Sequence, residues 1–419
     1  MFDKNKILIL CKVVDNYGDI GVVYRLARAL SDLRPSLEIT LVVSNLESFH
    51  KLANQIDPSK KIQDFRYKNL VWKVVDWNLP AEGKKTELQF SDFNSQLILE
   101  CFQCGRPEWL ENILFAPDFS ETVQIIQIDY LTAEDYADEF HLLKSGTRKA
   151  NVKKIFFMPG FTEKTGGLII NNEKVTDDME KSGASCLSLS AGRLRQAGLS
   201  EVPLTLHTAG GTAEPPLQSL AREFSIFFFA YDDDCSAVVK GISDFQSQVR
   251  RTEPDFSVTV YLASGKSALP FEEAWQKYGS PFEIKKIPFL EQGAFDEFIL
   301  EMDFLFVRGE DSLSRAALSA LPYVWQAYKQ DENYQLVKVN ALLERMRPFF
   351  DQEEFEPVRN FWQNYNDYEN PTEPENLTKM LVSARNQKNT AGFKKFAEQL
   401  HQNGNLAEHL LEFIDGLRF

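Results

Sequence analysis

Ile7-Leu-Ile-Leu-Cys-Lys-Val13 runs through the turn Val14-Asp15-Asn-Tyr-Gly-Asp19 into Ile20-Gly-Val-Val-Tyr-Arg-Leu-Ala-Arg-Ala-Leu-Ser-Asp-Leu33. The first piece is a short apolar run, the signature of a strand covered on both faces. The last puts Ile20, Val23, Ala27 and Leu30 on one face of a helix. Strand, turn and helix in that order predict the opening unit of a parallel α/β sheet.

Outward from this unit the alternation continues. Apolar runs at 39–43, 71–75, 97–101, 123–128 and 155–158 predict the other strands of one Rossmann-like domain. From about 171 to 221 the pattern fades into polar sequence containing Ala209-Gly-Gly-Thr-Ala-Glu-Pro-Pro216, which reads as loop and linker. Runs at 224–230, 258–262, 282–288, 304–307 and 323–326, with helices such as 313–320 between them, predict a second Rossmann-like domain. Beyond 372 no strand signal remains, and Phe393, Phe396, Ala397, Leu400, Leu406, Leu410, Leu411 and Ile414 recur at helical spacing. The expected organisation is an N-terminal domain over 1–200, a C-terminal domain over 201–390, and helices over 391–419 that pack back across both. Two doubly wound domains facing a cleft describe the α/β GT-B fold of glycosyltransferases, an outline shared with binding proteins and epimerases.

At 419 residues the chain exceeds the size of a single core. Its 61 acidic and 46 basic residues give a net charge of -15, spread along the sequence, which argues against nucleic-acid binding because a phosphate backbone calls for a basic face. No apolar run approaches the roughly 20 residues needed to cross a bilayer, and Met-Phe-Asp-Lys-Asn-Lys at the start offers no cleavage site. A soluble, cytoplasmic protein without membrane partners is expected. Five scattered cysteines (Cys11, Cys101, Cys104, Cys186, Cys235) suit a reducing compartment, and Cys101-Phe-Gln-Cys104, with no second pair at zinc spacing, reads as core thiols. The five histidines show no metal-ligand spacing.

Two constellations carry chemistry. Asp15 and Asp19 sit in the loop leaving the carboxyl end of the first strand, the rim where open α/β sheets bind ligands. Asp19 could simply cap the following helix, and Asp15 with Asn16 could form an Asx-turn. Two carboxylates on so short a loop also suit a guanidinium, whose forked donors carboxylates accept in pairs. The second constellation is Val307-Arg-Gly-Glu-Asp-Ser312, a strand end and glycine before a helix whose free N–H groups can hold an anion. Here Asp311 or Ser312 reads as a cap. Glu310 and Asp311 would repel a diphosphate unless turned towards hydroxyls, with Arg308 and Arg315 offsetting their charge. Phe229, Tyr231, Phe289, Phe295 and Tyr328 gather near strand ends, where a base could stack. Gly160-Phe-Thr-Glu-Lys-Thr-Gly-Gly167 lacks the spacing of a dinucleotide fingerprint or a P-loop and reads as a backbone turn near the cleft.

Taken in order, Cys11-Lys-Val-Val-Asp15-Asn-Tyr-Gly-Asp19-Ile-Gly21, Phe157-Met-Pro-Gly-Phe-Thr-Glu-Lys-Thr-Gly-Gly-Leu168, Ile287-Pro-Phe289, Arg308-Gly-Glu-Asp-Ser312 and Gln330-Asp-Glu-Asn333 resemble the bacterial EarP family. The resemblance implies a GT-B enzyme that moves L-rhamnose from dTDP-β-L-rhamnose to an arginine of translation elongation factor P, activating it for rescue of polyproline-stalled ribosomes. It implies inversion, and neither metal nor cofactor. By motif, Asp19 is the base, Asp15 its companion on the acceptor arginine, with Asn16, Tyr17 and Gly18 beside them. Glu310 joins these acids as catalytic and, with Asp311, Ser312 and Arg308, holds the diphosphate and sugar. Phe289 with Gln292, and Tyr231 with Phe229, frame thymine and ribose, while Tyr328 reaches the diphosphate. The family's Trp-Glu-Tyr-Leu stretch stands here as Ile128-Asp-Tyr-Leu131, so no acceptor contact is assigned to Asp129. The competing readings are a GT-B enzyme with a small-molecule or lipid-linked acceptor, and a non-catalytic binding module that keeps a nucleotide cleft.

Overall fold

In the computed structural model, which describes residues 3–14, 17–79, 95–170, 223–370 and 372–418, the central strand is β1 (Lys6–Cys11), buried along all but its first residue. It pairs in parallel with β2 (Glu38–Val43) on one side and β5 (Leu97–Cys101) on the other. Beyond β2 lies β4 (Leu70–Asp76), parallel to it, and then β3 (Ile62–Tyr67), antiparallel to β4. Beyond β5 come β6 (Val123–Ile128), β8 (Val152–Phe157) and the short antiparallel β7 (Lys144–Ser145). The order β3-β4-β2-β1-β5-β6-β8-β7 reverses direction between β1 and β5. Every residue of β5 and β6 is buried, as expected of parallel strands covered on both faces.

The second sheet is wholly parallel: β9 (Glu223–Phe228), β10 (Ser257–Ala263), β11 (Glu283–Ile287), β12 (Phe304–Arg308) and β13 (Tyr323–Gln326), in the order β11-β10-β9-β12-β13. It reverses between β9 and β12. Two Rossmann-like lobes thus make up the GT-B arrangement, and the described residues belong to one compact unit. The expected linker, the Pro-Pro segment at 215–216, the boundary near 200 and Cys186 all lie outside the described residues.

Helices close the chain. The Pro374–Arg385 helix packs on Ser236–Arg250 at Gly241, where a Cβ would lie 2.9 Å from the Pro374 carbonyl. The Thr390–Gln402 helix packs on Gly309–Leu318 in the C-terminal lobe. The Leu406–Gly416 helix instead joins the N-terminal core, where Leu406, Leu410, Leu411 and Ile414 lie with Ile7, Val23 and Ile126. Those four side chains each contribute about 1.5–3 kcal/mol of burial.

The glycine-rich turn receives this return crossing. Gly167 has φ +81, and a Cβ there would sit 2.6 Å from the Gly404 carbonyl. Asn405 exchanges hydrogen bonds with both the N–H and the carbonyl of Ile170. The turn is therefore a docking seat for the C-terminal helices. No helix among the described residues is long and apolar enough to cross a membrane.

Candidate active site

The reversal of strand order in each sheet leaves a crevice at the carboxyl ends of β1 and β5, and of β9 and β12. Residues leaving these ends meet. Tyr17 lies 6.0 Å from Phe289 between ring centroids. Gln292 donates to the Gly21 carbonyl and accepts from Arg28. Leu131 donates its N–H to Glu310.

On the N-terminal wall, the helix Gly18–Leu33 begins at Gly18, with Tyr17 in the capping position and no side-chain cap. Asp19 is therefore in the first turn rather than at the cap, 4% exposed, where a carboxylate favours the positive end of the helix dipole. Its Oδ2 accepts from the Val14 N–H at 2.7 Å, tying the strand exit to the helix. The Tyr130 hydroxyl donates to Oδ1 at 3.3 Å. Tyr17 is 44% exposed. Asp15 and Asn16 lie outside the described residues.

Tyr130 belongs to a short strap, Asp129-Tyr130-Leu131, at the exit of β6. Asp129 accepts from the Tyr130 N–H at 2.8 Å and from the Gln103 side chain at 2.9 Å. Phe102 stacks on the Tyr130 ring at 4.7 Å and 22°. Sequence reasoning missed Tyr130, Phe102 and Gln103. Their signals were position, directly after the buried strands β5 and β6, and for Tyr130 the Ile128-Asp-Tyr-Leu131 stretch, to which no role was given. Beneath them Cys11 and Cys101 are buried and Cys104 partly so, all free thiols. Burial, followed by the charge of Glu100, pushes the Cys104 thiol up to about 12.

On the C-terminal wall, the helix starts at Gly309, earlier than expected, and Arg308 stands at the cap without a side-chain cap bond. Neither Asp311 nor Ser312 is the capping residue. The Ser312 hydroxyl donates back to the Arg308 carbonyl. Gly309, at φ +67, makes the turn that side chains rarely allow.

Glu310 points to the strap, accepting from the Leu131 N–H at 3.0 Å. Burial, with the charges of Asp19 and Asp129 adding to it, pushes its carboxyl up to about 8. Asp311 turns the other way, onto Arg25 of the opposite lobe. Arg315 is buried and donates to the Ile169 carbonyl. A partly open pocket at these carboxylates is lined in part by Val23, Phe102, Asp129, Glu310, Asp311 and Arg315.

Arg308 lies between two aromatic faces, 4.6 Å from the Phe229 centroid and 4.5 Å from that of Tyr231. Its Nε, though buried, donates to no acceptor among the described residues. Tyr328, 64% exposed, meets Tyr231 edge-on at 5.5 Å. Among the described residues no group of three or more His, Cys, Asp or Glu could hold a metal ion. The structure thus brings Asp19 and Glu310 to one strap and Arg308, Phe229, Tyr231 and Tyr328 to one cluster. Gln292 and Asp311 make contacts between the lobes.

A family model described as Elongation-Factor P (EF-P) rhamnosyltransferase EarP matches residues 7–415. A protein-arginine rhamnosyltransferase of Shewanella oneidensis is 28% identical over 389 residues, covering 85% of this chain and 89% of that relative. One from Pseudomonas putida is 28% identical over 352 residues, covering 81% of each. A solved structure described as the structural basis for EarP-mediated arginine glycosylation of translation elongation factor EF-P superposes with a TM-score of 0.52 at 18% identity. It covers 98% of this chain and 99% of that one, a likeness of fold.

Proposed function

This chain belongs to the EarP family of elongation factor P rhamnosyltransferases, and from that membership we propose that it transfers L-rhamnose from dTDP-β-L-rhamnose to a guanidine nitrogen of one arginine on translation elongation factor P, inverting the anomeric carbon. The observation that carries this reading is the meeting of Asp19 and Glu310, from opposite lobes, on the consecutive residues Tyr130 and Leu131. Acting on a translation factor, the enzyme would work in the cytoplasm.

An arginine guanidinium, with a pKa above about 12, is a poor nucleophile until a base takes its proton. Asp19 is the fixed, ionisable acid of the N-terminal wall. As the guanidine nitrogen forms its bond to the anomeric carbon, the bond from that carbon to the β-phosphate oxygen breaks. The electron pair leaves on dTDP, and the nitrogen's proton passes to Asp19. Arg308 and the free N–H groups at the start of the Gly309–Leu318 helix are suited to the charge arriving on the diphosphate.

Acidic residues beside a diphosphate raise an electrostatic objection, which the side-chain partners answer. Asp311 has its charge met by Arg25. Glu310, titrating at about 8, holds its proton through neutral pH. Neither then opposes the phosphates.

Mass spectrometry tests the proposal. Incubation with dTDP-rhamnose and elongation factor P should add one deoxyhexose to a single arginine, at a rate unchanged by EDTA. Asp19→Asn should abolish transfer and leave calorimetric dTDP binding nearly intact. No adduct from a verified donor would sink the reading, and a fully active Asp19→Asn would remove the base from Asp19.

A further inference from the structure

The strap after β6 meets both Asp19 and Glu310, and the motif match at Ile128–Leu131 gave Tyr130 no role. We infer that Tyr130 is a positioning residue for the transfer, its hydroxyl orienting the Asp19 carboxylate while the next N–H in the chain fixes Glu310. The inference rests on Asp19 being the base, as read above.

Asp19 is gripped at both oxygens, by the Val14 N–H and by the Tyr130 hydroxyl. Burial first, and the charges of Asp19 and Glu310 after it, push the Tyr130 phenol above its ordinary range, so it remains a donor wherever the enzyme works. At 3.3 Å the bond is long for a hydroxyl on a carboxylate. Contacts of this kind tighten when substrate is bound.

The strap is braced at a conformational cost. Phe102 (φ 58) and Gln103 (φ 52) are consecutive left-handed residues without a glycine, a strain of about 1–3 kcal/mol each. In that conformation Phe102 stacks on the Tyr130 ring and gives its N–H to the Ile128 carbonyl at 2.7 Å. Gln103 meanwhile holds Asp129, which in turn caps the Tyr130 N–H. Both strained residues therefore serve the placement of Tyr130. Leu131, rigidly next in the chain, sets Glu310 at a fixed offset from Asp19.

The test is Tyr130→Phe, which keeps the stacked ring and removes only the hydroxyl. Steady-state transfer is measured with dTDP-rhamnose and elongation factor P between about pH 3.5 and 9, a range that reaches from the ordinary carboxylate titrations past that of histidine. We expect kcat to fall about 10- to 100-fold, the scale of a hydrogen bond to a charged group. KM for both substrates should stay within about twofold, because a positioning residue acts on the transition state. The acidic limb of the profile should move to higher pH, since a carboxylate that loses a donor protonates more readily.

The groups facing Asp19 keep that limb interpretable. Cys11 at the end of β1 is pushed well up, by burial first and then by Asp19, so it stays a thiol in this range. Glu310, with Lys338 and Asp129 near it, is pushed up to about 8 by burial, so its ionisation falls on the alkaline side and away from that limb. An unchanged kcat and acidic limb, or a loss confined to KM, would overturn the inference. An inactive wild type would instead fail the underlying reading, so the two failures are distinguishable.

Discussion

Arg25 and Asp311 join the two lobes by paired hydrogen bonds, Nε to Oδ1 at 2.7 Å and Nη2 to Oδ2 at 3.0 Å. The same guanidinium reaches Asp296 at 2.5 and 3.1 Å. With its side chain 1% exposed, Arg25 is a buried cation whose planar fork is satisfied by two carboxylates.

Replacing Arg25 by Met should therefore destabilise the protein by about 3–5 kcal/mol, since two partly buried acids lose their counter-charge. Burial pushes the Asp311 carboxyl up, but the charge and hydrogen bonds of Arg25 outweigh it and hold it below the usual range. Stability from a depressed carboxylate is present above its unfolded pKa and fades as pH falls through the folded one. Urea denaturation should show the deficit of Arg25→Met largest near neutrality and narrowing below about pH 4. A deficit constant with pH would count against this pairing.

Glu310 has the opposite sign. Its folded carboxyl titrates at about 8, mainly because burial disfavours the charge. Stability tied to a raised group is complete below the unfolded pKa and lost as pH climbs through the folded value. Wild-type stability should thus decline between about pH 4.3 and pH 8 from this residue. Glu310→Gln still accepts the Leu131 N–H yet never ionises, so its melting temperature should exceed that of wild type at pH 8 and match it at pH 4.5. Equal melting curves at both pH values would show that Glu310 is ionised without penalty.

These two acids also mark what the sequence made legible. Central strands such as β5 and β6 were readable because burial on both faces calls for mostly apolar runs, even with Glu100, Gln124 and Gln127 inside them. Ile62–Tyr67 was missed because an antiparallel edge strand buries only Phe65 fully and leaves no such run. Asp19 and Glu310 were visible as acids just past strand ends. Tyr130 stood in the Ile128-Asp-Tyr-Leu131 stretch, but its contact with Asp19 was not readable, because it comes from β6 lying next to β5, and β5 next to β1, an adjacency that no local pattern encodes. The contacts of Arg25 depend in the same way on acids 271 and 286 positions along the chain.

Arg308 allows the proposed donor to be tested apart from the chemistry. Its guanidinium lies against Phe229 and Tyr231, where a planar cation can stack flat and keep its forked donors, which a lysine ammonium lacks. The Nε proton, without an acceptor among the described residues, is suited to a phosphate oxygen. Arg308→Lys should weaken calorimetric binding of dTDP by about tenfold or more, the scale of one charge-assisted contact. Thymidine, which has no phosphate, separates the two things Arg308 could do. If the arginine meets the diphosphate, the substitution should leave thymidine binding unchanged. If it only keeps the Phe229 and Tyr231 rings in place for the base, both ligands should weaken alike, and the diphosphate would have to be held by the helix N–H groups without Arg308.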